Sequence, residues 1–131
     1  MTDETPIVAL DANALMMPVE VNIRTFEEIE RLLGAVELVV PRAVLDELDR
    51  LTAGEGTEAA AAQVGRTLAR DRCTEIDHAE DSADEAIVEL AVSDRIDYAV
   101  TNDTPLRRRL LEAGIPVISL RGRTKLAIIQ P

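Results

Sequence analysis

The stretch Ile7-Val8-Ala9-Leu10-Asp11-Ala12-Asn13 is a short apolar run that ends abruptly on an aspartate. Four apolar residues without alternation predict a strand that is buried on both faces, as in the middle of a parallel sheet. Asp11 would then lie at the carboxyl edge of that sheet, where open α/β sheets bind their ligands. Asn13 adds a second polar side chain two residues later. This stretch therefore predicts both the fold class and the edge where a site would form.

Strand-like and helix-like segments alternate from this stretch to the end of the chain. The alternation predicts a single domain over residues 1–131, a three-layer α/β/α sandwich around a central parallel sheet. We expect Thr25 to cap the first helix and Pro41 to be the first residue of the second. The predicted helices are 25–33, 41–51, 58–70, 82–93 and 105–113, the predicted strands after the first are 36–40, 73–76, 98–101 and 117–120, and residues 14–19, broken by Pro18, are predicted to form a loop.

The composition excludes several classes of protein. Hydrophobic residues make up 47% of the 131 residues and aromatic residues only 2%, so the core must be aliphatic. No apolar run approaches the ~20 residues of a membrane span, and residues 1–6 lack the features of a signal peptide. The single cysteine, Cys73, excludes an internal disulfide and a thiolate metal site built from cysteines. We therefore expect a cytoplasmic protein that does not enter a membrane.

The charge is strongly acidic and unevenly distributed. The chain has 25 acidic and 14 basic residues, and Lys125 is the only lysine. An acidic chain with a single lysine suggests a halophilic protein, because high salt screens the electrostatic self-repulsion of such a chain. Residues 104–131 nevertheless carry six basic residues and one acidic residue. A basic end on an acidic protein is a candidate surface for contact with phosphate groups.

Four acidic residues are expected at the same edge of the sheet. Asp11 directly follows the first predicted strand, and Asp103 lies two residues beyond the strand predicted at 98–101. Glu47 and Asp84 lie on the apolar faces of helices, near their starts, and in a parallel sheet such helices begin at the carboxyl edge. Each acid also has an ordinary explanation. Glu47 could pair with an arginine, and Asp84 could complement a helix dipole.

Carboxylates that cluster must take up protons or bind a cation. Oxygen ligands without histidine or cysteine select hard ions such as Mg²⁺ or Mn²⁺. An ion held in this way can lower the pKa of a water molecule and stabilise charge on a phosphate, which is the chemistry of metal-dependent nucleases. The only histidine, His78, lies in a polar segment, and we expect it to be a solvated loop residue rather than a catalytic one.

Four segments of the chain carry a resemblance to a known family. They are Val8-Ala-Leu-Asp-Ala-Asn13, Pro41-Arg-Ala-Val-Leu-Asp-Glu-Leu48, Asp81-Ser-Ala-Asp-Glu-Ala-Ile-Val88 and Thr101-Asn-Asp-Thr-Pro-Leu106. In their order and spacing these segments resemble the PIN domain, a small α/β endoribonuclease fold found in VapC toxins and in rRNA-processing nucleases. The similarity is greatest to the archaeal relatives of the rRNA-processing group, because of Leu15-Met-Met-Pro18 and the arginines after Asp103.

The resemblance implies an endoribonuclease that depends on Mg²⁺ or Mn²⁺ and acts in rRNA processing or RNA turnover. The acidic quartet of the family falls on Asp11, Glu47, Asp84 and Asp103, which are the catalytic and metal-binding candidates. Its small polar positions fall on Asn13 and Thr101, and Arg107 and Arg108 are further candidates for substrate contact. Asp81 or Glu85 could add a ligand, and Arg109 could instead belong to a solvated helix face. The implied partners are RNA, a second copy of the chain and a ribosome-assembly partner.

Three other functions remain open from the sequence. A VapC-type toxin would need an antitoxin that covers the acidic site. A non-cleaving module would hold RNA or a ribosome-assembly partner without hydrolysing it. A phosphohydrolase would use Asp11 as a covalent nucleophile, but Asn13 stands where such an enzyme would carry its second acid.

Overall fold

The strand predicted from residues 7–10 lies inside a six-stranded sheet. The computed structural model describes residues 5–131, so most of the N-terminal segment examined for a signal peptide lies outside the described residues. The strands are β1 (Ile7–Leu10), β2 (Glu37–Pro41), β3 (Thr74–Ile76), β4 (Tyr98–Val100), β5 (Val117–Arg121) and β6 (Lys125–Ile129). Their order in the sheet is β3-β2-β1-β4-β5-β6.

Within residues 5–131, six helices flank this sheet, and the predicted three-layer α/β/α fold is confirmed. They are α1 (Ala12–Glu20), α2 (Thr25–Leu33), α3 (Arg42–Thr52), α4 (Gly56–Arg72), α5 (Ala83–Val92) and α6 (Thr104–Glu112). Among residues 5–131, none of these helices has the length and apolar character needed to cross a membrane.

The register of β1 decides where the site forms. β1 pairs in parallel with β2 on one side and with β4 on the other. Val8, Ala9 and Leu10 have no exposed surface, as expected for a strand covered on both faces. Leu10 is paired with Val100. The residues that follow these two strands, which include Asp11 and Asp103, are therefore brought side by side.

The loop predicted at residues 14–19 was wrong, because these residues belong to α1. Asp11 starts this helix by accepting a hydrogen bond from the Ala14 N–H at 2.7 Å. Pro18 lies inside the helix and cannot donate to the carbonyl of Ala14. The hydroxyl of Thr25 donates to that carbonyl instead, at 3.4 Å. A tertiary contact thus replaces the hydrogen bond that the proline removes.

Two predicted helix starts also need correction. Arg24 rather than Thr25 is the N-cap of α2, since the Thr25 side chain is turned toward α1. Pro41 is the last residue of β2 and the N-cap of α3, and the helix itself begins at Arg42. Pro41 has no side-chain donor or acceptor with which to cap a helix.

The sheet is mixed rather than wholly parallel, because it includes β6, a strand that was not predicted from the sequence. This strand folds back antiparallel on β5, with Arg121 opposite Lys125. The outer edge of β6 is paired by α2, since Glu28 accepts from the Leu126 N–H at 3.0 Å and Arg31 donates to the Leu126 carbonyl at 2.9 Å. The side chains of an ion pair therefore occupy positions that a further strand would otherwise take.

Candidate active site

The ends of β1 and β4 form the floor of the site. The Asp11 N–H donates to the Val100 carbonyl at 3.4 Å, so the chain is still paired as it leaves β1. Asp11 then caps α1, and Asp103 caps α6 by accepting from the Leu106 N–H at 3.2 Å. Each aspartate is thus held at a helix N-terminus, where the backbone N–H groups favour a negative charge.

Asp11 is the most buried acid of the site, with 6% of its surface exposed. Burial raises the pKa of its carboxyl group from the usual 3.8 to about 7. Hydrogen bonds from the Thr101 side chain and the Ala14 N–H lower the pKa, whereas the nearby charges of Asp84 and Glu47 raise it further. An aspartate with such a pKa is only partly ionised near neutrality unless a cation stabilises its charge.

Glu47 and Asp84 approach Asp11 from two different helices. Partial burial and the charge of Asp84 raise the pKa of Glu47, on α3. Asp84, in the first turn of α5, is exposed as a residue, but its carboxyl group loses part of its hydration beside the cavity. This loss and the charge of Asp103 raise the pKa of Asp84. Loss of hydration is the main cause of these pKa shifts, and repulsion between acids from separate parts of the chain adds to it.

These acids share one open cavity of about 370 Å³. Among the described residues, 5–131, its lining contains all four predicted acids, one predicted amide and no basic residue. The lining residues are Asp11, Ala12, Asn13, Glu47, Asp84, Asn102 and Asp103. The structure therefore brings together the four carboxylates that sequence reasoning placed at this edge.

Asn102, which no pattern in the sequence singles out, lines the cavity and connects the loop after β4 to α1 and β5. Its N–H donates to the Asn13 side-chain oxygen at 3.0 Å. Its own side-chain oxygen accepts from the Leu120 N–H at 2.7 Å, and its amide group donates to the sulfur of Met17 at 3.2 Å. Its position between Thr101 and Asp103 was the only sequence signal, because its partners are distant in the chain.

Thr101 does not reach the cavity, although the sequence grouped it with the substrate contacts. It has no exposed surface. Its side chain hydrogen-bonds to the Asp11 carboxylate, and its hydroxyl oxygen accepts from the Asp103 N–H at 3.0 Å. The position of Thr101 therefore suits orientation of these two acids rather than direct contact with a substrate.

The arginines of α6 lie beside the acidic cavity rather than in it. Arg107 and Arg108 line a neighbouring cavity of about 420 Å³. Arg109 donates two hydrogen bonds to the Glu85 carboxylate, at 2.6 and 3.0 Å. This ion pair joins α6 to α5. It also engages Glu85, one of the two residues predicted as possible extra metal ligands. The other, Asp81, is exposed and is not part of the cavity lining.

The donor set fits a hard divalent cation in its chemistry, since every charged group in the lining is a carboxylate. Within residues 5–131, however, no three Asp, Glu, His or Cys side chains form a group arranged to hold a metal ion. An ion here would therefore keep several water ligands or draw the side chains inward, and Mg²⁺ commonly binds with few protein ligands.

Comparison with known proteins gives two kinds of match. The sequence model of the PIN-like domain matches residues 8–123. The structure of the PIN domain endonuclease Utp24 matches with a TM-score of 0.77 and 22% identity, over 95% of this chain and 92% of that one. A domain of a functionally unknown protein from Methanocaldococcus jannaschii matches with a TM-score of 0.65 and 19% identity, over 90% and 93% of the two chains. No curated protein sequence matches. At these identities the structural matches establish the fold.

Proposed function

This chain belongs to the PIN-like domain family, and from that premise we propose that it is a divalent-metal-dependent endoribonuclease that hydrolyses RNA phosphodiester bonds. The observation that carries the proposal is the convergence of four carboxylates, from four separate segments, on one cavity without a basic residue. The endonuclease activity named for the structurally similar Utp24 supports the same reaction class.

Asp11, Glu47, Asp84 and Asp103 are the residues that would hold Mg²⁺ or Mn²⁺. A bound ion would supply an activated water molecule at neutral pH and would neutralise charge on the phosphate. The raised pKa values of these carboxyl groups support this assignment, because a cation would offset both their burial and the repulsion among them. Metal binding would also return Asp11 to its ionised form.

The other polar residues divide into positioning groups and substrate contacts. Thr101 would orient Asp11 and Asp103, whereas Asn13 lines the cavity and can meet the substrate directly. Arg107 and Arg108 would bind RNA phosphates on the α6 side of the acids, where their positive charge offsets an acidic surface. Phosphate contacts would then hold the strand while the acids act on one bond.

For the biological role we propose rRNA processing or RNA turnover. This finer assignment rests on the similarity of residues 15–18 and of the arginines after Asp103 to the archaeal rRNA-processing relatives. RNA is the proposed substrate, and a second copy of the chain or a ribosome-assembly protein is a proposed partner.

The experiment is a cleavage assay on single-stranded and structured RNA in molar KCl, with Mg²⁺, Mn²⁺ or EDTA. We expect cleavage only with the metals, and we expect the Asp11→Asn variant to lose at least about 100-fold in rate, as for other residues that stabilise a transition state directly. Asp46→Asn is the matched control, since Asp46 is an exposed neighbour of Glu47 outside the cavity. Cleavage that persists in EDTA, or equally in Asp11→Asn, would refute the proposal.

A non-cleaving RNA- or ribosome-assembly-binding module is the second candidate. The observation that favours it is that residues 5–131 contain no preformed group of three metal ligands. Calorimetry separates the two candidates. A nuclease should bind Mn²⁺ at the acidic cavity and lose that binding in Asp11→Asn, whereas a pure binding module should retain RNA and show no Mn²⁺ binding that depends on Asp11.

A further inference from the structure

His78 lies in the loop between β3 and α5, and its imidazole contacts a different helix. Nε2 of His78 accepts a hydrogen bond from the Ala43 N–H at 3.1 Å. Ala43 is the second residue of α3, and the N-cap of that helix, Pro41, provides no side-chain hydrogen bond. The first N–H groups of a helix lack partners within the helix. His78 therefore supplies, from 35 residues along the chain, a cap that Pro41 cannot supply.

The loop that carries His78 is itself fastened to α5. The Glu89 carboxylate accepts from the Ala79 N–H at 2.9 Å and from the Glu80 N–H at 2.8 Å. Just beyond α5, Arg95 donates to the Asp77 carbonyl at 2.8 Å. Hydrogen bonds on both sides of His78 thus fix its backbone relative to α5, and its ring extends from this anchored loop to α3.

The two helices joined in this way are the ones that carry Glu47 and Asp84. Glu47 is four residues after Ala43 on α3, and Asp84 is in the first turn of α5. We propose that His78 is a positioning residue. It holds the start of α3 against the loop between β3 and α5, and so sets the separation of Glu47 and Asp84. This inference rests on the proposed function of the acidic cavity.

The state of the imidazole follows from its contacts. Because Nε2 accepts a hydrogen bond from Ala43, the N–H of the ring is on Nδ1. Nδ1 is buried and has no hydrogen-bond partner among residues 5–131. The contact with Ala43 is therefore the polar interaction that fixes the ring, and the expectation of a solvated loop residue was wrong. Glutamine could reproduce the acceptor at Ala43, whereas leucine could fill the space without accepting.

The experiment compares His78→Leu and His78→Gln with the full-length wild type. In the metal-free protein, we expect amide exchange at Ala43 to rise roughly fivefold in His78→Leu, as for the loss of one net hydrogen bond, and to return to within about twofold in His78→Gln. Mn²⁺ affinity measured by calorimetry should fall severalfold in His78→Leu and recover in His78→Gln. Asp77→Asn, a change to an exposed side chain beside His78, is the control and should alter neither measurement.

Two outcomes would overturn the inference: unchanged Ala43 exchange in His78→Leu, or identical Mn²⁺ affinities in the leucine and glutamine variants. If His78→Leu does not fold, His78→Gln still decides, because a failure to keep wild-type exchange and affinity would exclude the acceptor role. Failure of the proposed function has a different signature. In that case the wild type would neither bind Mn²⁺ nor cut RNA, while exchange at Ala43 would still show whether His78 caps α3.

Discussion

Asp11 is a carboxyl group that folding removes almost entirely from water. Its pKa of about 7, against the usual 3.8, means that the metal-free native state holds its proton more tightly than the unfolded chain does. Between these two values the native protein binds more protons at Asp11, so its stability falls as the pH rises from about 4 to 7 and stays low above that range. The site is thus maintained at a cost to the stability of the fold.

This linkage predicts that Asp11→Asn stabilises the metal-free protein at high pH. Asparagine can keep the hydrogen bonds to Ala14 and Thr101 without carrying a charge. Since each pKa unit corresponds to about 1.4 kcal/mol, we expect a gain of roughly 2–4 kcal/mol at pH 8 and little difference at pH 4. Urea unfolding of both proteins in EDTA at the two pH values measures this gain.

The control for this prediction is Asp46→Asn, which changes a solvent-exposed charge on α3. It should alter stability by less than about 0.5 kcal/mol at either pH. If the wild type were more stable than Asp11→Asn at pH 8 in EDTA, burial of the ionised Asp11 carboxylate would not destabilise the fold.

The four acids could be predicted from the sequence because the local pattern around each one shows its position in a strand or helix. Asp11 and Asp103 follow apolar strands, and Glu47 and Asp84 lie on apolar helix faces, so parallel topology brings them together. The roles of Asn102 and His78 could not be predicted. Their partners, which include Leu120 and Ala43, lie 18 and 35 residues away, and no periodicity records such contacts.

At the scale of elements, α1 depends on contacts made after it in the chain. A proline such as Pro18 predicts a loop from the sequence, because it removes a backbone hydrogen bond of the helix. The compensating hydroxyl of Thr25 and the packing of α4 come from tertiary structure. β6 was missed for a similar reason, because Glu28 and Arg31, which pair its outer edge, lie on α2.

Close packing of α4 against α1 predicts that Gly65→Ala is destabilising. A Cβ at position 65 would lie 3.1 Å from the backbone oxygen of Leu15. Alanine favours a helix by about 1 kcal/mol, but overpacking of this kind costs about 1–3 kcal/mol, so we expect a net loss of about 1 kcal/mol. Urea denaturation of the variant measures this loss.

Gly54→Ala is the matched control, since its Cβ would be 3.4 Å from the Leu51 oxygen, which is ordinary van der Waals contact. It should leave stability nearly unchanged. If Gly65→Ala were as stable as Gly54→Ala or more so, the approach of α4 to Leu15 would be looser than the structure indicates.

At the scale of the whole molecule, the dominant property is a net charge of −11 with a single lysine. We propose that the chain works at high salt, where the Debye length falls from about 10 Å at 0.1 M to about 3 Å at 1 M and repulsion between surface acids is screened. Screening would also weaken RNA binding through phosphate contacts. At high salt, a metal site that binds the scissile phosphate directly would therefore contribute more to RNA binding than a broad basic surface.

This proposal predicts that the melting temperature at pH 7.5 rises by about 5 °C or more between 0.1 and 2 M KCl, because self-repulsion is removed. Differential scanning calorimetry measures the change. The control is the same series at pH 4.5, near the isoelectric point of about 4.5, where the salt dependence should be much smaller. A melting temperature that falls with KCl at pH 7.5 would contradict the high-salt interpretation.

The central claim is that Asp11, Glu47, Asp84 and Asp103 share a divalent cation, and anomalous diffraction from Mn²⁺-soaked crystals tests it most directly. We expect a manganese peak inside the acidic cavity, with Asp11 and at least one of the other three carboxylates as ligands, and no such peak in Asp11→Asn crystals. An acidic cavity without manganese at a concentration that saturates binding in solution, or a peak that persists in Asp11→Asn, would contradict it.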